Sequence, residues 1–191
     1  MEIGLYFGSF NPVHIGHLAI ANYILEYSKL EQIWFVVSPQ NPFKDKKSLL
    51  KDYHRVELLH RAIGENNAFR VSDIELKLPQ PSYTIDTLAY LHEKYPTHLF
   101  SILMGSDNIA SFHKWKNYEQ IIAYHDLFIY PRADYKGSNF DTNPKVHFIN
   151  APQIEISSSF IRQAIKEGKN LPFYMPTEAY NYLQEMNFYK K

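Results

Sequence analysis

Short apolar runs and amphipathic segments with helical spacing alternate along nearly the whole chain. The apolar runs are rich in β-branched and aromatic residues and are bounded by turn residues, which is the pattern of buried strands. They predict strands at residues 3–7, 32–37, 69–76, 98–105, 126–131 and 146–150. Apolar residues that recur every three or four positions predict helices at residues 16–28, 53–63, 84–95, 106–112, 118–124, 157–168 and 177–186.

Strands that alternate with helices in this order predict parallel pairing through right-handed crossovers. We therefore expect an α/β protein with a Rossmann-like, doubly wound, mainly parallel sheet and helices on both faces. No internal repeat, low-complexity tract or linker divides the sequence. We expect one domain over residues 1–191, with a C-terminal helical part from about residue 157. Ligands of such sheets bind beyond the carboxyl ends of the strands, which makes the turn after the first strand the first candidate site.

Composition and charge narrow the classes of function. The 191 residues include 20 lysines and arginines and 20 aspartates and glutamates, and this balance argues against a strongly basic nucleic-acid binder. The lack of cysteine excludes disulfides, thiol catalysis and cysteine-ligated zinc. No uncharged apolar run approaches the roughly 18 residues of a membrane span. The N-terminus, MEIGLYFGSF, lacks the features of a signal peptide. We expect a soluble, cytoplasmic protein that binds neither nucleic acid nor membrane.

The turn after the first predicted strand, GSFNPVHIGH at residues 8–17, has the most distinctive chemistry. It is neither a Walker A loop nor the Gly-x-Gly-x-x-Gly dinucleotide fingerprint. His14 and His17 are three residues apart at the entry to a helix, so they can face the same side, and Gly16 permits close approach of a ligand. On spacing alone three interpretations stay open, namely helix capping with space filling, zinc binding, and phosphate binding at the helix N-terminus.

The spacing Gly8-x-Phe10-x-Pro12-x-His14-x-Gly16-His17 resembles the signature of the nucleotidyltransferase superfamily that has the His-x-Gly-His motif. Within that superfamily, the chain is similar to the nicotinate and nicotinamide mononucleotide adenylyltransferases. The matching elements follow in order along the chain: Pro39-x-x-Pro42-x-Lys44, Ser82-Tyr83-Thr84-x-x-Thr87, Gly105-x-Asp107, Trp115, and Ile156-Ser157-Ser158-Ser159-x-Ile161-Arg162. Two positions depart from the family pattern, since Phe7 replaces a frequent glycine and Ser159 replaces the usual threonine.

The resemblance implies an enzyme that transfers AMP from ATP to nicotinate mononucleotide, giving deamido-NAD and pyrophosphate in NAD biosynthesis. It also implies that no side chain of the protein binds a metal ion and that Mg²⁺ enters the site bound to ATP. The implied catalytic residues are His14, His17, Lys44 and Arg162. The implied ATP-binding residues are Gly8, Ser9, Phe10, His14, His17, Gly105, Asp107, Ser158, Ser159 and Arg162. The implied acceptor-binding residues are Ser9, Phe10, Lys44, Tyr83, Thr84 and Trp115.

Five of the implied residues also have an ordinary structural interpretation. Lys44 could belong to a solvated loop, Ser158 and Ser159 could cap a helix, Arg162 could lie on the surface, and Asp107 could only begin a helix. Two other functions stay open as well. One is transfer to a different acceptor, as in a pantetheine-phosphate adenylyltransferase, and the other is a non-catalytic nucleotide-binding regulator. The sequence leaves the oligomeric state undetermined.

Overall fold

The structure is a computed structural model that describes residues 1–39, 49–133 and 135–190. Its strands are β1 (Glu2–Gly8), β2 (Gln32–Val37), β3 (Phe69–Ser72), β4 (Leu99–Gly105), β5 (Leu127–Tyr130) and β6 (Val146–Phe148). Its α-helices are α1 (Ile15–Glu26), α2 (Asp52–Ile63), α3 (Ile74–Lys77), α4 (Thr84–Lys94), α5 (Ser106–Ile109), α6 (Tyr118–Tyr124), α7 (Ser158–Lys166) and α8 (Thr177–Glu185). Short 3₁₀ helices lie at Phe112–Lys114 and Pro172–Tyr174.

The strands form one sheet in the order β3-β2-β1-β4-β5-β6, and each neighbouring pair is parallel. From β1 the chain winds outward to β2 and β3, then returns to β4 beside β1 and winds outward in the other direction. The strand order therefore reverses between β1 and β4. In doubly wound sheets the ligand crevice lies at this point, beyond the carboxyl ends of the two strands. The predicted fold class is confirmed.

Apolar clusters on both faces of the sheet bury the strands. In β2, Ile33, Phe35 and Val37 contribute to one cluster, and Trp34 and Val36 contribute to the other. Helices α1, α2, α7 and α8 supply side chains to the first cluster, and α3, α4, α5 and α6 supply the second. A strand that is buried on both faces needs apolar residues at successive positions, which is why the sequence reads as continuous apolar runs. The single-domain organisation over residues 1–191 stays a prediction.

The strand predicted at residues 69–76 is wrong in its second half. Strand β3 ends at Ser72, where its ladder with β2 ends opposite Val36. Beyond that point no neighbouring strand pairs with the chain in the described ranges, and α3 forms instead, with the Leu76 N–H donating to the Asp73 carbonyl at 3.0 Å. The backbone of this segment therefore forms its hydrogen bond within a local turn instead of with a neighbouring strand. In the same described ranges, no helix is long and apolar enough to cross a membrane.

Candidate functional site

Two imidazoles stack where the β1–α1 loop (residues 9–14) enters α1. The ring centroids of His14 and His17 lie 3.7 Å apart, with 29° between the ring planes. The His14 backbone N–H donates to Nδ1 of His17 at 3.2 Å, and the His17 N–H donates to the His14 carbonyl at 3.0 Å. Because Nδ1 of His17 accepts a hydrogen bond, the neutral ring has its proton on Nε2. His17 therefore offers an Nε2–H donor.

Burial keeps both imidazoles neutral. The His14 side chain is almost completely buried, and desolvation lowers its pKa to about 4, with a smaller contribution from the positive charge of Arg132. Burial also lowers the pKa of His17 well below its usual value, and His14 and Arg132 add to this effect. Two neutral rings can stack at this distance, whereas two imidazolium cations would repel each other. Arg132, whose role the sequence leaves open, thus lies within electrostatic range of both histidines.

One ring nitrogen of His14 has no internal partner. Its Nδ1 atom is buried and makes no hydrogen bond to any residue of the described ranges. A buried polar atom without a partner costs about 1–3 kcal/mol, so such atoms are few and often functional. Gly16 accommodates this ring, since a Cβ there would lie 3.0 Å from Nδ1 of His14 and 3.3 Å from a methyl carbon of Ile154. Close packing, rather than an unusual φ, explains the glycine.

Phe10 lies in the turn of the β1–α1 loop, and its ring packs against His17. Its φ of 44° lies in the left-handed region, which is uncommon for a residue other than glycine. Its buried side chain packs edge-on against His17, with centroids 5.1 Å apart, and against Tyr6 at 5.7 Å. The aromatic ring of Phe10 thus supports the His17 imidazole directly.

The guanidinium of Arg55, which is fully buried in α2, anchors the backbone of the same loop. Its Nη1 donates to the carbonyl of Ser9 at 2.7 Å and to that of Ser38 at 2.8 Å. Its Nε donates to the Leu50 carbonyl at 3.3 Å, and its Nη2 pairs with Asp52 at 2.5 Å. One side chain therefore joins the β1–α1 loop to the chain leaving β2 and to the chain entering α2.

This anchoring orients two backbone donors. The C=O and N–H groups of a planar trans peptide point in opposite directions. Because the Ser9 carbonyl is bound by Arg55, the N–H of Phe10 points away from α2. The Gly8 carbonyl accepts the Ser38 N–H at 2.9 Å, so the N–H of Ser9 points away from β2, towards the β4 side. Both N–H groups are directed away from the elements that hold the loop.

Helix α7 begins against the opposite side of the β1–α1 loop. The Ser158 hydroxyl donates to the carbonyl of Pro12 at 2.8 Å. The guanidinium of Arg162 donates to the carbonyl of Asn11 at 2.8 Å and to the Ser159 hydroxyl at 3.1 Å. Residues 146 and 151 positions apart in sequence thus meet beside the histidines.

A cavity of about 340 Å³ opens beyond the carboxyl ends of β4 and β5, and Asp107 and Arg132 both line it. Asp107 lies in the first turn of α5 and is exposed. A Cβ at Gly105 would collide with the Asp107 carboxylate and lie 3.2 Å from Cγ of Arg132. The Ser106 hydroxyl accepts the Arg132 backbone N–H at 2.9 Å. Glu155 is a second acidic residue of the lining. Carboxylates can accept from hydroxyl groups, and a guanidinium can bind a phosphate.

Lys116 joins two further segments that the sequence singles out. Its ammonium group pairs with the Asp86 carboxylate at 2.9 Å and lies 4.6 Å from the ring centroid of Tyr83. Tyr83 is the N-cap residue of α4 and makes no side-chain capping hydrogen bond within the described residues. Trp115, next to Lys116 in sequence, is only half-buried. The start of α4 and the segment around Trp115 are therefore neighbours.

A buried carboxyl group connects α4 with the loop region. Glu75 in α3 accepts a hydrogen bond from the Thr87 hydroxyl at 3.0 Å and is also hydrogen-bonded to the Ser38 side chain. Burial raises the pKa of Glu75, while these two hydroxyls oppose the rise. Since Arg55 binds the Ser38 carbonyl, a continuous chain of contacts runs from α4 through Glu75 and Ser38 to Arg55 and Ser9.

Known proteins share this fold and much of this sequence. The fold is similar to that of Plasmodium falciparum nicotinic acid mononucleotide adenylyltransferase complexed with NaAD, with a TM-score of 0.81, 22% identity, and coverage of 98% of this chain and 97% of that one. The profile of the Cytidylyltransferase-like family matches residues 5–164. The probable nicotinate-nucleotide adenylyltransferase of Flavobacterium johnsoniae is 51% identical over 193 residues, covering all of both chains. The chain belongs to the nicotinate-nucleotide adenylyltransferase family. The probable nicotinate-nucleotide adenylyltransferase of Bacteroides thetaiotaomicron is 44% identical, and the match covers 97% of this chain and 92% of that one.

The structure groups most of the residues that the family resemblance implies into two clusters. The first surrounds the β1–α1 loop and the adjacent end of β4 and contains Gly8, Ser9, Phe10, His14, His17, Gly105, Asp107, Ser158, Ser159 and Arg162. The second, at the start of α4, contains Tyr83, Thr84 and Trp115. Lys44 lies outside the described residues. The family roles of all these residues stay predictions.

Of the ordinary interpretations of Ser158, Ser159, Asp107 and Arg162, the structure confirms only the one for Asp107. Ser157, rather than Ser158 or Ser159, caps α7, because its hydroxyl accepts the Phe160 N–H at 3.2 Å. Asp107 does stand in the first turn of a helix. Arg162 is partly buried and is hydrogen-bonded to the β1–α1 loop, so the surface interpretation of that residue is wrong.

Arg55 and Glu75 were not predicted from the sequence. For α2 the spacing predicts an apolar face of Val56, Leu59 and Ile63, whereas the fully buried side chains are Arg55, Leu58 and Leu59. The sequence does contain a signal for Arg55. It precedes Leu58 by three positions and Leu59 by four, which places it on the helix face that α2 buries. Glu75 was hidden by the incorrect extension of the third strand.

Proposed function

We propose that the protein transfers the adenylyl group of ATP to the phosphate of nicotinate mononucleotide, giving deamido-NAD and pyrophosphate. The observation that carries this proposal is the stacked pair of neutral histidines at the N-terminus of α1, beside the point where the strand order reverses. A helix N-terminus and imidazole N–H donors favour the polyphosphate of ATP at this position. Membership of the nicotinate-nucleotide adenylyltransferase family supports the choice of acceptor.

The reaction needs no general base. A phosphate oxygen of nicotinate mononucleotide attacks the α-phosphorus of ATP, and a bond forms between them. The bond from the α-phosphorus to the bridging oxygen breaks, and its electron pair leaves with pyrophosphate. Since the second pKa of a phosphomonoester is near 6, the attacking oxygen is already ionised at neutral pH. The enzyme must therefore align two anions and stabilise the charge that develops on the leaving group.

The histidines would provide that stabilisation as neutral donors. His17 would direct its Nε2–H at the transferred phosphoryl group, since its Nδ1 is occupied by the His14 N–H. His14 would contact the ATP phosphates beside it. The guanidinium of Arg132, close enough to lower the pKa of both rings, would add a full positive charge to the same region. Donors held in place before the reaction stabilise charge without reorganising.

The remaining ATP contacts would come from both sides of the crevice. Arg162 uses two of its donor nitrogens internally, and a guanidinium has five N–H groups, so it can also bind the β- and γ-phosphates. Ser158 and Ser159 would assist at the start of α7, and the backbone of Gly8, whose lack of a Cβ leaves room for the Phe10 ring, would contribute from the end of β1. Gly105 and Asp107 would hold the adenosine, with the exposed Asp107 carboxylate accepting from ribose hydroxyls.

The acceptor would occupy the other side of the site. The oriented N–H groups of Ser9 and Phe10, together with Lys44, would bind the phosphate of the mononucleotide. Trp115 would stack on the pyridine ring, and Tyr83 and Thr84 would meet its carboxylate at the N-terminus of α4. No side-chain cap from the described residues occupies that helix end, which leaves its N–H groups for a carboxylate.

Mg²⁺ would enter as part of the ATP substrate. In the described ranges no three histidine, aspartate or glutamate side chains are grouped so that they could hold a metal ion. Oxygen-rich phosphates suit Mg²⁺, which commonly binds proteins through its substrate and water. Bound there, it would supply positive charge to the phosphates.

The cytoplasmic location of the protein also stays a prediction.

The test is to mix the purified protein with ATP, Mg²⁺ and nicotinate mononucleotide and to measure both products. We expect pyrophosphate and deamido-NAD in equal amounts. Parallel reactions with nicotinamide mononucleotide and with phosphopantetheine establish the acceptor. Faster transfer to phosphopantetheine, or nucleotide binding without any pyrophosphate release, would contradict the proposal.

A further inference from the structure

Asn11 is a junction within the β1–α1 loop. It is almost completely buried, and its backbone carbonyl accepts the Arg162 guanidinium at 2.8 Å. Its side-chain oxygen accepts two more hydrogen bonds, from the Leu50 backbone N–H at 3.1 Å and from the Tyr189 hydroxyl at 2.6 Å. Three distant parts of the chain therefore meet at one residue that lies between Phe10 and the histidines.

The contact with Tyr189 comes from the C-terminal tail, 178 positions away in sequence. After α8 the tail turns back onto α2, where the buried Phe188 ring packs against His54 with centroids 4.6 Å apart. Tyr189 follows with a φ of 63°, in the left-handed region that a tyrosine rarely adopts. This conformation directs its hydroxyl to Asn11 rather than to solvent. Burial also raises the pKa of Tyr189, so the hydroxyl stays protonated and remains a donor.

We propose that Tyr189 is a positioning residue for adenylyl transfer, which acts through the Asn11 side chain on the β1–α1 loop. The inference rests on the proposed function, because it assigns Tyr189 a part in that reaction. Asn11 lies between Phe10, whose ring supports His17, and Pro12, whose carbonyl is held by Ser158. A displacement of Asn11 moves the loop N–H groups and the histidines relative to α7. Small errors in such placement reduce turnover, because reacting groups must be aligned closely.

The chain provides a matched control in the same part of the molecule. Tyr182 in α8 is half-buried, as Tyr189 is, and its hydroxyl is hydrogen-bonded to Nδ1 of His54 at 2.9 Å. Tyr182→Phe and Tyr189→Phe therefore each remove one hydroxyl that links the C-terminal region to the rest of the protein. Only Tyr189→Phe removes a contact to the β1–α1 loop.

The experiment measures kcat, the two KM values and Tm for the wild-type protein and both variants. We expect Tyr189→Phe to lower kcat/KM about five- to tenfold, the effect of one hydrogen bond, mainly through kcat and at a temperature where all three proteins are folded. Tyr182→Phe should retain wild-type kinetics with a comparable change in Tm. Equal kinetics for the two variants would overturn the proposal.

A double-mutant cycle tests whether the hydroxyl acts through Asn11. In an Asn11→Ala background, Tyr189→Phe should cause no further loss of kcat, since the acceptor is already absent. A full additional loss would also overturn the proposal. If Asn11→Ala does not fold, the comparison of Tyr189→Phe with Tyr182→Phe still decides the question.

Failure of the proposed function would look different, because the wild-type protein itself would form no deamido-NAD. In that case the experiment measures the dissociation constant of Mg²⁺-ATP, instead of kcat, for the wild-type protein and both variants. Tyr189→Phe should then weaken binding about five- to tenfold relative to Tyr182→Phe. Equal affinities would exclude a positioning role for Tyr189.

Discussion

At the scale of single residues, the site depends on imidazoles that burial keeps neutral. His17 gains a defined tautomer from the His14 backbone N–H, and its ring is held between His14 and Phe10. A neutral donor suits a reaction in which charge moves from the nucleophile to pyrophosphate. It contributes most where negative charge accumulates in the transition state.

Replacing His17 tests this contribution. We expect His17→Ala to lower kcat by about 10²–10³-fold or more, the loss typical of one transition-state donor. The fold should remain intact, as shown by circular dichroism and a cooperative thermal transition. His113→Ala, at an exposed histidine in the 3₁₀ helix after α5, is the control and should leave kcat unchanged. Near-normal turnover by His17→Ala would remove the central role assigned to this residue.

The lowered pKa of His14 predicts how stability depends on pH. In the unfolded chain His14 takes up a proton near pH 6.5, whereas in the native protein it resists protonation down to about pH 4. The unfolded state therefore binds more protons between these values, so the free energy of unfolding falls as pH decreases from 6.5 to 4. The contribution of His14 is on the order of 3 kcal/mol over this interval.

Urea unfolding of the wild-type protein and of His14→Asn at pH 7 and pH 4.5 measures this contribution. The variant has no imidazole to protonate, so it should lose less stability on acidification. Equal losses for the two proteins would show that His14 is not buried as a neutral base.

At the scale of secondary-structure elements, helices position the loops of the site. Helix α2 places Arg55 where one guanidinium binds the carbonyls of Ser9, Ser38 and Leu50. Helix α3 places Glu75 where its carboxyl group connects Ser38 with α4. These contacts hold the backbone that is expected to bind the acceptor phosphate.

Arg55→Lys tests the anchoring. A lysine ammonium lacks the planar fork that reaches several carbonyls at once. We expect stability to fall by about 1–3 kcal/mol and kcat/KM to fall at least about tenfold. Arg61→Lys is the matched control, since Arg61 lies in the same helix in a partly exposed pair with Glu57, and its replacement should change stability by less than about 0.5 kcal/mol. If the two variants behave alike in kinetics, Arg55 does not position the loop.

The start of α4 predicts the choice between an acid and an amide acceptor. Backbone N–H donors at this helix end suit the carboxylate of nicotinate mononucleotide, whereas an amide would turn its own NH₂ donor towards them. A donor facing a donor costs a few kcal/mol, so we expect kcat/KM for the nicotinate substrate to be roughly 100-fold higher. Parallel assays with both mononucleotides measure the ratio, and equal values would refute the preference.

At the scale of the whole molecule, net charge and local charge differ. The chain has a formal net charge of zero, yet Arg132 lines the cavity beyond β4 and β5, and Arg162 binds the β1–α1 loop on the same edge of the sheet. Parallel pairing brings the carboxyl ends of β1, β4 and β5 to one edge, and this edge collects cationic groups from distant parts of the sequence. Neutrality therefore does not oppose a pocket for a polyanion.

A ligand that bridges both clusters of the site should stabilise the molecule most. Deamido-NAD contains both the adenylyl and the pyridine nucleotide halves, so we expect it to raise Tm more than ATP or nicotinate mononucleotide at equal concentration. At 100 times its Kd it would add about 2.7 kcal/mol, or roughly 5–10 °C for a chain of this size. Thermal unfolding with each ligand measures the shifts. A shift with deamido-NAD no larger than that with ATP would mean that the clusters do not form one site.

The local pattern of the sequence allowed much of the fold to be predicted. Strands such as β2 are buried on both faces, so their apolar runs are continuous and their ends are clear. The strand prediction was wrong at residues 73–76, because a strand ends where its neighbour no longer pairs with it, and the sequence does not reveal the neighbour. The motif around His14 and His17 was visible because its members are close together in sequence.

The sequence by itself determined the α/β class, the alternation of strands and helices, and the chemical groups of the β1–α1 loop, since each depends on residues within a few positions of one another. Only the tertiary structure decided which distant groups hold that loop. Arg55, Glu75 and Tyr189 contact it or its neighbours across 46, 37 and 178 positions respectively. Such contacts depend on how α2, α3 and the C-terminal tail pack on the sheet. The same packing buries the imidazoles and lowers their pKa values, and no local pattern specifies this.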